Sequence, residues 1–191
     1  MSGLGSGVQG TTVASGATLD LRGVQITYGE AITLNGGTLM ASTGTSGLVG
    51  TVTLGANSTV DVGGTQLTLS GVISGAYSLT KTGTGTLTLS GNNTYTGVTT
   101  VHAGTLTAGH NNALGTTAGN TVVASNATLA VSDAVNVAEP LQLSGSGANN
   151  SGALNLLGTN TYSGAITLAA NASIVGGTGT QTLSGNVNGA Y

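Results

Sequence analysis

Five acidic side chains and two histidines are the residues of this chain that could carry acid–base or metal chemistry. Asp20, Asp61 and Asp133 could serve as paired carboxylates for polysaccharide hydrolysis, which needs an acid and a base held together. Their sequence contexts do not repeat, and Asp20 aligns with Ala130 when the chain is compared with itself at an offset of 110 residues (130 − 20). We therefore predict solvent-facing strand carboxylates and no catalytic residue.

The two glutamates and the two histidines have simpler interpretations. Glu30 and Glu139 recur at the same place before a strand, which indicates a structural role at a corner, capping backbone amides. His102 follows Val101 and should face outward, and His110 lies in a Gly/Asn turn. Metal sites need clustered ligands, and the chain has no cysteine. We predict no metal site and no cofactor.

Charge is scarce throughout the chain. Only 4% of the residues are charged, the net charge is −3, and Arg22 and Lys81 are the only basic residues. No basic stripe exists for nucleic-acid phosphates or an anionic membrane surface, and no apolar run approaches the roughly 20 residues of a membrane-spanning helix. Asp20 and Arg22 lie two residues apart on one strand face, so we expect an exposed ion pair worth less than about 1 kcal/mol.

Short strands must position all of these side chains. Segments such as Thr51–Leu54 and Thr86–Leu89 alternate small polar and apolar residues, which is typical of half-buried strands. Gly and Thr are too frequent for stable helix interiors. Gly/Asn clusters follow each strand and suit sharp corners, because both residues tolerate positive φ. We predict an all-β chain.

The apolar strand centres recur at the length of one coil. One series has spacings of 20, 21 and 19 residues and comprises Leu19, Leu39, Val60 and Leu79. A second, less regular series comprises Leu34, Leu54, Leu69, Leu89 and Leu106. Such periods are typical of solenoids, in which stacked coils bury one continuous column. We predict a parallel β-helix of about nine coils of roughly 20 residues, with an aliphatic interior and outward Thr and Ser. A β-sandwich is the alternative.

Two longer copies of one unit are also visible. Thr12–Leu19 matches Val122–Leu129, and an insertion of about five residues falls between Leu143 and Ile166. We predict one solenoid over residues 1–191, with internal units at about 11–77, 78–119 and 120–191. Gly189–Tyr191 matches Gly75–Tyr77, where the first copy continues without a break. The start, Met1–Leu4, is not a signal peptide. We expect the chain to be part of a longer protein.

The segment Ser78–Gly115 is the most distinctive of the chain. It holds three predicted strands, Ser78–Lys81, Thr84–Leu89 and Val98–Leu106, between Gly/Asn turns. It resembles the passenger-associated repeat of bacterial autotransporter proteins, and Asn160–Leu168 is similar to segments that flank such repeats. The residues that carry this structural motif are Lys81, Gly83, Gly85, Gly91, Asn93, Tyr95, Gly97 and Gly104.

The resemblance implies a right-handed parallel β-helix that is exported through the outer membrane and displayed at the cell surface or released. It also implies a signal peptide and a C-terminal translocating barrel, neither of which is in this sequence. We therefore predict a non-enzymatic structural spacer of a surface-displayed or secreted autotransporter or adhesin. Unpaired strand edges at the ends of the coils predict end-to-end self-association, and a host surface or a glycan is a further candidate partner.

Two other functions remain open from the sequence. Pairs such as Thr86/Thr88 and Thr105/Thr107 could form an outward array that binds glycans or ice. Tyr77 and Tyr191 close the same Gly-Ala-Tyr motif, and Tyr95 and Tyr162 share Asn-Thr-Tyr-x-Gly. These tyrosines could either pack over a coil corner or form a row of carbohydrate-stacking rings. A polysaccharide-processing β-helix enzyme is the least favoured alternative, because charge is so scarce.

Overall fold

The chain folds as a parallel β-solenoid of about eight turns. The computed structural model describes residues 10–132 and 134–189. Each turn passes over three faces, and the registers that join one turn to the next are parallel throughout. The predicted β-helix is confirmed. Within the described residues, none of the helical structure reaches the length and apolarity needed to cross a membrane.

The second face of each turn forms the longest sheet. Its nine strands are Thr18–Asp20 (β2), Thr38–Ala41 (β5), Ser58–Val62 (β8), Leu79–Thr82 (β11), Thr99–Val101 (β13), Thr121–Val123 (β15), Leu141–Gly145 (β18), Ile166–Ala172 (β21) and Val187–Asn188 (β24). Consecutive members come from consecutive turns, so the coils are stacked in chain order.

The third face forms an eight-stranded sheet in the same order. Its strands are Gln25–Ile26 (β3), Thr45–Leu48 (β6), Gln66–Leu69 (β9), Thr86–Leu89 (β12), Gly104–Ala108 (β14), Ala127–Val131 (β16), Leu154–Leu156 (β19) and Ile174–Gly176 (β22).

The first face is interrupted. Its upper sheet contains Thr11–Ala14 (β1), Ile32–Asn35 (β4), Val52–Ala56 (β7) and Ile73–Ser74 (β10), and its lower sheet contains Asn136–Val137 (β17), Asn160–Tyr162 (β20) and Gln181–Leu183 (β23). Two turns between them cross this face without a regular strand, although backbone bonds such as Thr94 N to Ile73 O (2.8 Å) still join the coils. The break makes this the irregular side of the solenoid.

Strand alternation sorts the side chains into stacked columns. On the third face, Leu67, Leu87 and Leu106 are in register and fully buried, while Thr68 and Thr88 are neighbours on the outer surface. Because adjacent coils lie about 4.8 Å apart, each inward leucine packs on the equivalent residue of the next coil. Each fully buried leucine contributes about 2–3 kcal/mol of transfer free energy.

The registers correct both predicted series of strand centres. Val60 pairs with Lys81, and Leu79 belongs to the neighbouring inward column with Ser58. The second series combines two faces, since Leu34 pairs with Leu54 on the first face while Leu69 pairs with Leu89 on the third. Sequence spacing alone could not distinguish these columns, because each face contributes inward residues at almost the same period.

Strand boundaries differ from the prediction at one corner. The predicted strand Val98–Leu106 is two strands, β13 and β14, which turn onto different faces at residues 102–103. The predicted insertion is also visible. The connection from β18 to β19 runs over residues 146–153, eight residues, where the preceding turn uses residues 124–126, three residues. The extra five residues include a short 3₁₀ turn, Ala148–Asn150.

The core is aliphatic with a few polar exceptions. Tyr95 and Tyr162 are its largest side chains, and both are fully buried. Buried polar and charged residues are Glu30, Ser46, Ser58, Lys81, Asn93, Thr99, Thr121, Thr128, Glu139 and Asn160. The prediction of an aliphatic interior is therefore wrong at these positions. Several of them lie in Ser78–Gly115, the segment that resembles the passenger-associated repeat.

Candidate functional site

Lys81 lies inside the solenoid in a column that is otherwise aliphatic. It is in register with Val60 and Val101 and has no exposed surface. Its Nζ donates hydrogen bonds to the carbonyl oxygens of Thr82 (2.7 Å), Gly83 (2.8 Å) and Ala103 (3.1 Å). An ammonium group has three donors and each finds an acceptor, so Lys81 joins two successive coils at the corner between the second and third faces.

Burial lowers the pKa of Lys81 to about 8, and the nearby Asp61 carboxylate opposes this shift. The amine still carries its proton at neutral pH. The three carbonyl oxygens explain why a cation is tolerated here, since a neutral amine would direct a lone pair at one of them. The arrangement is suited to holding backbone in place rather than to reacting with a substrate.

Replacing Lys81 with Met should destabilise the protein by about 2–4 kcal/mol. Removing a buried charge is favourable in itself, but three carbonyl groups would lose a charged donor, and each unsatisfied group costs about 1–3 kcal/mol. Chemical denaturation followed by circular dichroism measures the change. Thr80→Met, on the outer surface of the same strand, is the control. A Lys81→Met protein as stable as the wild type would show that the carbonyl cap is dispensable.

Asn93 and Tyr95 fill the core where the first face loses its strand. The Asn93 carboxamide oxygen accepts a hydrogen bond from Ile73 N (2.8 Å), and its Nδ2 donates to Ala113 O (2.6 Å). One side chain thus bridges the coils before and after its own and replaces ladder bonds that a strand would make. The Tyr95 hydroxyl shares a 2.6 Å hydrogen bond with Thr99 Oγ1, and burial raises the pKa of this phenol.

The second Asn-Thr-Tyr-x-Gly segment also buries its Asn and Tyr, but their hydrogen bonds differ. Asn160 is buried, and its Nδ2 donates to Leu157 O (3.0 Å) and Val131 O (3.3 Å). The Tyr162 hydroxyl donates to Glu139 O (2.8 Å), one coil earlier. Neither Tyr95 nor Tyr162 can stack on a carbohydrate, because both rings are enclosed. These two residues therefore add no ring to the predicted row, while Tyr77 is 43% exposed and Tyr191 lies outside the described residues.

The motif glycines lie where neighbouring coils come closest. Gly83 and Gly104 have φ angles of 75° and 66°, and a Cβ on Gly104 would lie 2.6 Å from Gly83 O. The other three would overlap backbone one coil back: Gly85 with Gly64 O, Gly91 with Gly71 O, and Gly97 with the Tyr77 carbonyl group. The eight motif residues are therefore not brought together at one point. They mark corners and contacts spread over adjacent coils.

The two recurrent glutamates are buried, and each accepts a hydrogen bond from a threonine hydroxyl. Thr11 Oγ1 donates to Glu30 Oε1 (2.8 Å), and Thr121 Oγ1 donates to Glu139 Oε1 (3.2 Å). Thr121 is offset from Thr11 by 110 residues (121 − 11), so the pair recurs with the predicted long repeat. Within the described part of the chain, these carboxyl groups bond to threonine hydroxyls rather than to the backbone amides that we predicted. Burial raises the pKa of Glu139 to about 7, while the bond from Thr121 opposes the shift.

Glu139 should make the protein less stable as the pH rises from about 4.5 to about 7. In this window the folded state retains a proton that the unfolded state has released, so raising the pH favours unfolding. Tyr95 and Tyr162, the titratable groups near this carboxyl, remain neutral there because burial raises the pKa of both. Denaturation curves at several pH values measure the slope. Glu139→Gln should remove most of it, and an unchanged slope would contradict the assignment.

The two described aspartates lie two coils apart, and each has its own hydrogen-bond partner. Asp20 Oδ2 accepts bonds from exposed Arg22 Nε (2.9 Å) and from Ser42 Oγ (2.7 Å), and these bonds lower the pKa of Asp20. Asp61 accepts a bond from Thr82 Oγ1 (2.6 Å). Asp133 lies outside the described residues. The predicted exposed ion pair between Asp20 and Arg22 is confirmed.

The histidines are also separate from the acids. His102 is exposed, as predicted, and His110 Nδ1 accepts a hydrogen bond from Asn112 N (3.0 Å) in its turn. Over residues 10–132 and 134–189, no three His, Asp or Glu side chains are grouped so that they could hold a metal ion.

Outward threonines form columns, but their pairing is interrupted. On the third face, Thr86/Thr88 and Thr105/Thr107 are adjacent pairs in register. In the preceding coil Gln66 occupies the position of Thr86, and in the following coil Ala130 occupies the position of Thr107. Two consecutive coils thus carry the full pair.

The comparison with protein families identifies the repeated unit. Residues 79–108 and 143–170 match the family model described as passenger-associated-transport-repeat. The chain carries two passenger-associated-transport-repeats. Each passenger repeat includes one Asn-Thr-Tyr-x-Gly segment with its buried Asn and Tyr. The resemblance to autotransporter passenger domains is confirmed, and Asn160–Leu168 belongs to a second repeat rather than to a flanking segment. Neither the curated proteins nor the solved structures contain a match to this chain.

The sequence analysis named the motif residues without predicting which of them are buried. Lys81 follows buried Leu79 by two residues in β11, so strand alternation was the available signal for its inward position. Asn93 and Tyr95 are also two residues apart. They lie in a segment without a regular strand, so alternation along the sequence did not indicate which side chains face inward. The recurrence of Asn, Tyr and Gly in both passenger repeats was the available signal for their shared role.

Proposed function

We propose that this chain is a non-catalytic spacer segment of an autotransporter passenger that is displayed at the bacterial surface or released from it. The observation that carries the proposal is the pair of passenger repeats within an unbroken stack of coils. A stack of this kind extends by about 4.8 Å for each added coil and so separates whatever lies at its two ends.

The use made of the buried polar groups supports a structural role. The side chains of Lys81, Asn93 and Tyr162 form hydrogen bonds with the backbone of their own or neighbouring coils. Catalytic groups need a free face toward a substrate and pKa values suited to proton transfer. The buried groups of both repeats are instead enclosed, and in the first repeat Asn93 joins coils that have no regular strand on the first face.

Coil deletion on the cell surface tests the spacer role. The chain would be fused to a signal peptide and a translocating barrel, with an epitope at its N-terminus. Deleting residues 38–58 joins Gly37 to Thr59, the register partner of Thr38, and should preserve display and protease resistance. Deleting residues 38–47 removes half a coil and should abolish both. Equal loss in the two deletions would overturn the spacer role, and release of reducing ends from pectin, glucan or chitin would overturn the non-catalytic role.

The threonine array is the second candidate function. Thr18, Thr38, Thr59, Thr80 and Thr100 form one outward column on the second face, which is the observation in favour of ice or glycan binding. The adjacent column is mixed, because Asp20, Met40 and Asp61 follow one another there. We expect no thermal hysteresis, and a clear freezing-point depression would favour the array over the spacer.

We also propose that copies of the chain associate through their coil edges. The last described coil leaves Leu183 and Val187 39% and 47% exposed, although both continue inward columns. An uncovered parallel edge offers backbone donors and acceptors as well as apolar surface to a second copy. Light scattering should show an apparent molar mass that increases with protein concentration, and Leu183→Lys should reduce this increase. A monomer at all concentrations would contradict this association.

A further inference from the structure

The interrupted first face carries a polar groove that the spacer role does not use. It consists of two adjoining depressions of about 440 and 500 Å³ that share Asn136 in their walls. The first also contains Asn92, Asn111 and Asn112, and the second contains Asn160 and Thr161. We call this surface the asparagine groove. It crosses the coils in which the upper sheet of this face has ended and the lower sheet begins.

Hydrogen bonds between coils fix the orientation of the groove amides. Asn111 Oδ1 accepts from Asn136 N (2.9 Å), Asn136 Oδ1 accepts from Thr161 N (3.1 Å), and Asn92 Oδ1 accepts from Asn112 Nδ2 (2.8 Å). Their oxygen atoms are therefore used within the solenoid. The NH₂ groups of Asn92, Asn111 and Asn136 form no hydrogen bond within the described part of the chain, and all three residues are exposed.

The groove walls also contain buried polar atoms that have no hydrogen-bond partner. Among the described residues, Thr116 Oγ1 and Asn160 Oδ1 are the buried side-chain polar atoms without a hydrogen-bond partner. Each belongs to a residue that lines one of the two depressions. Buried polar atoms are rarely left unpaired, so such atoms mark places where water or a ligand completes the structure.

We propose that the asparagine groove binds a neutral glycan chain. The groove presents exposed amide donors in a row along the solenoid, with a hydroxyl and an amide oxygen in the wall beneath them. Sugar hydroxyls both donate and accept hydrogen bonds, so one ligand class complements all of these groups. This binding site goes beyond the spacer role, and loss of binding would leave that role intact.

The chemistry of the groove disfavours the other ligand classes. Phosphate and acidic sugars need a cation, and neither Arg22 nor Lys81 lines the groove. Glu139, the one acidic side chain among the described residues of its walls, supplies no positive charge that could bind an anion. An extended peptide pairs with an open strand edge, whereas the backbone amide of Asn136 in edge strand β17 is already bonded to Asn111 Oδ1.

Nuclear magnetic resonance titration of the isotope-labelled chain tests the proposal. The probes are neutral hexasaccharides of glucose, mannose and N-acetylglucosamine, with a galacturonic acid hexamer as the anionic probe. At least one neutral probe should shift the side-chain NH₂ signals of Asn92, Asn111 and Asn136 in a saturable manner. Asn136→Ala should weaken this binding at least tenfold.

Asn57→Ala is the matched control. Asn57 is also exposed, and its Oδ1 accepts a hydrogen bond from Ser78 N (3.0 Å), but it lies outside the groove. Both variants lose one bond of the same kind, so their stabilities should agree while only Asn136→Ala loses binding. Binding of the anionic probe alone, equal loss in both variants, or NH₂ signals that no neutral probe moves would each overturn the proposal. The last result would assign the groove to ordered water only.

Discussion

Replacing Leu87 with Asp should prevent the protein from folding. Leu87 is fully buried in the inward column of the third face, between Leu67 and Leu106. The substitution removes about 2–3 kcal/mol of apolar burial and places a carboxylate in the core, which costs several kcal/mol more. Domains of this size are stable by about 5–15 kcal/mol, so the loss removes most or all of that margin. Far-UV circular dichroism and a denaturation curve measure it.

The neighbouring substitution Thr88→Asp is the matched control. Thr88 points to the opposite side of the same strand, and its hydroxyl already accepts a hydrogen bond from Gln66 Nε2 (3.1 Å). A carboxylate there remains solvated and can accept the same bond, so we expect a change of less than about 1 kcal/mol. Similar losses for Leu87→Asp and Thr88→Asp would show that the inward and outward columns have been assigned wrongly.

Replacing Gly97 with Ala should cost more than about 3 kcal/mol. A Cβ at this position would overlap the backbone of Tyr77 and Ser78 in the preceding coil, and a backbone contact cannot be relieved by rotating a side chain. The two coils would have to separate, which breaks the hydrogen bonds next to Tyr95. Gly164, at the same place in the second passenger repeat, faces the Glu139 carbonyl and should respond in the same way.

Gly29→Ala provides the comparison for this steric effect. A Cβ on Gly29 would meet nothing within 4 Å, and its backbone has no positive φ. The substitution should be neutral or should stabilise the protein by about 0.4–1 kcal/mol, because alanine restricts the unfolded chain. Thermal unfolding of the two variants compares the effects. A Gly97→Ala protein with the stability of Gly29→Ala would contradict the close approach of the coils.

Fold class could be predicted from the sequence because the solenoid repeats two simple signals. Alternation in segments such as Thr86–Leu89 identified strands, and the coil-length spacing of Leu19, Leu39 and Val60 identified stacking. Both signals depend on local sequence. The assignment of Leu79 to the column of Val60 was wrong because neighbouring inward columns differ by two residues, which is within the variation of coil length.

The polar clusters could not be predicted in the same way. Asn93 is bonded to residues 20 positions away on either side, and the asparagine groove joins Asn111 to a residue 25 positions later. Such neighbours depend on the length of every intervening corner. The first face is interrupted in coils that lack a regular strand and therefore lack a periodic signal, and this interruption contains buried Tyr95 and part of the groove.

Successive coils stack in parallel register, and pairs of introduced cysteines can detect this stacking in solution. The chain has no cysteine, so Thr59→Cys with Thr80→Cys gives a single possible disulfide. These residues are register partners on the second face, and the strand spacing of about 4.8 Å lies within the Cα separation that a disulfide accepts. Thr59→Cys with Thr88→Cys places the thiols on different faces as a control. The structure predicts rapid intramolecular oxidation of the first pair alone. Failure of that pair to form a disulfide, or equal oxidation of both pairs, would contradict the stacked parallel coils.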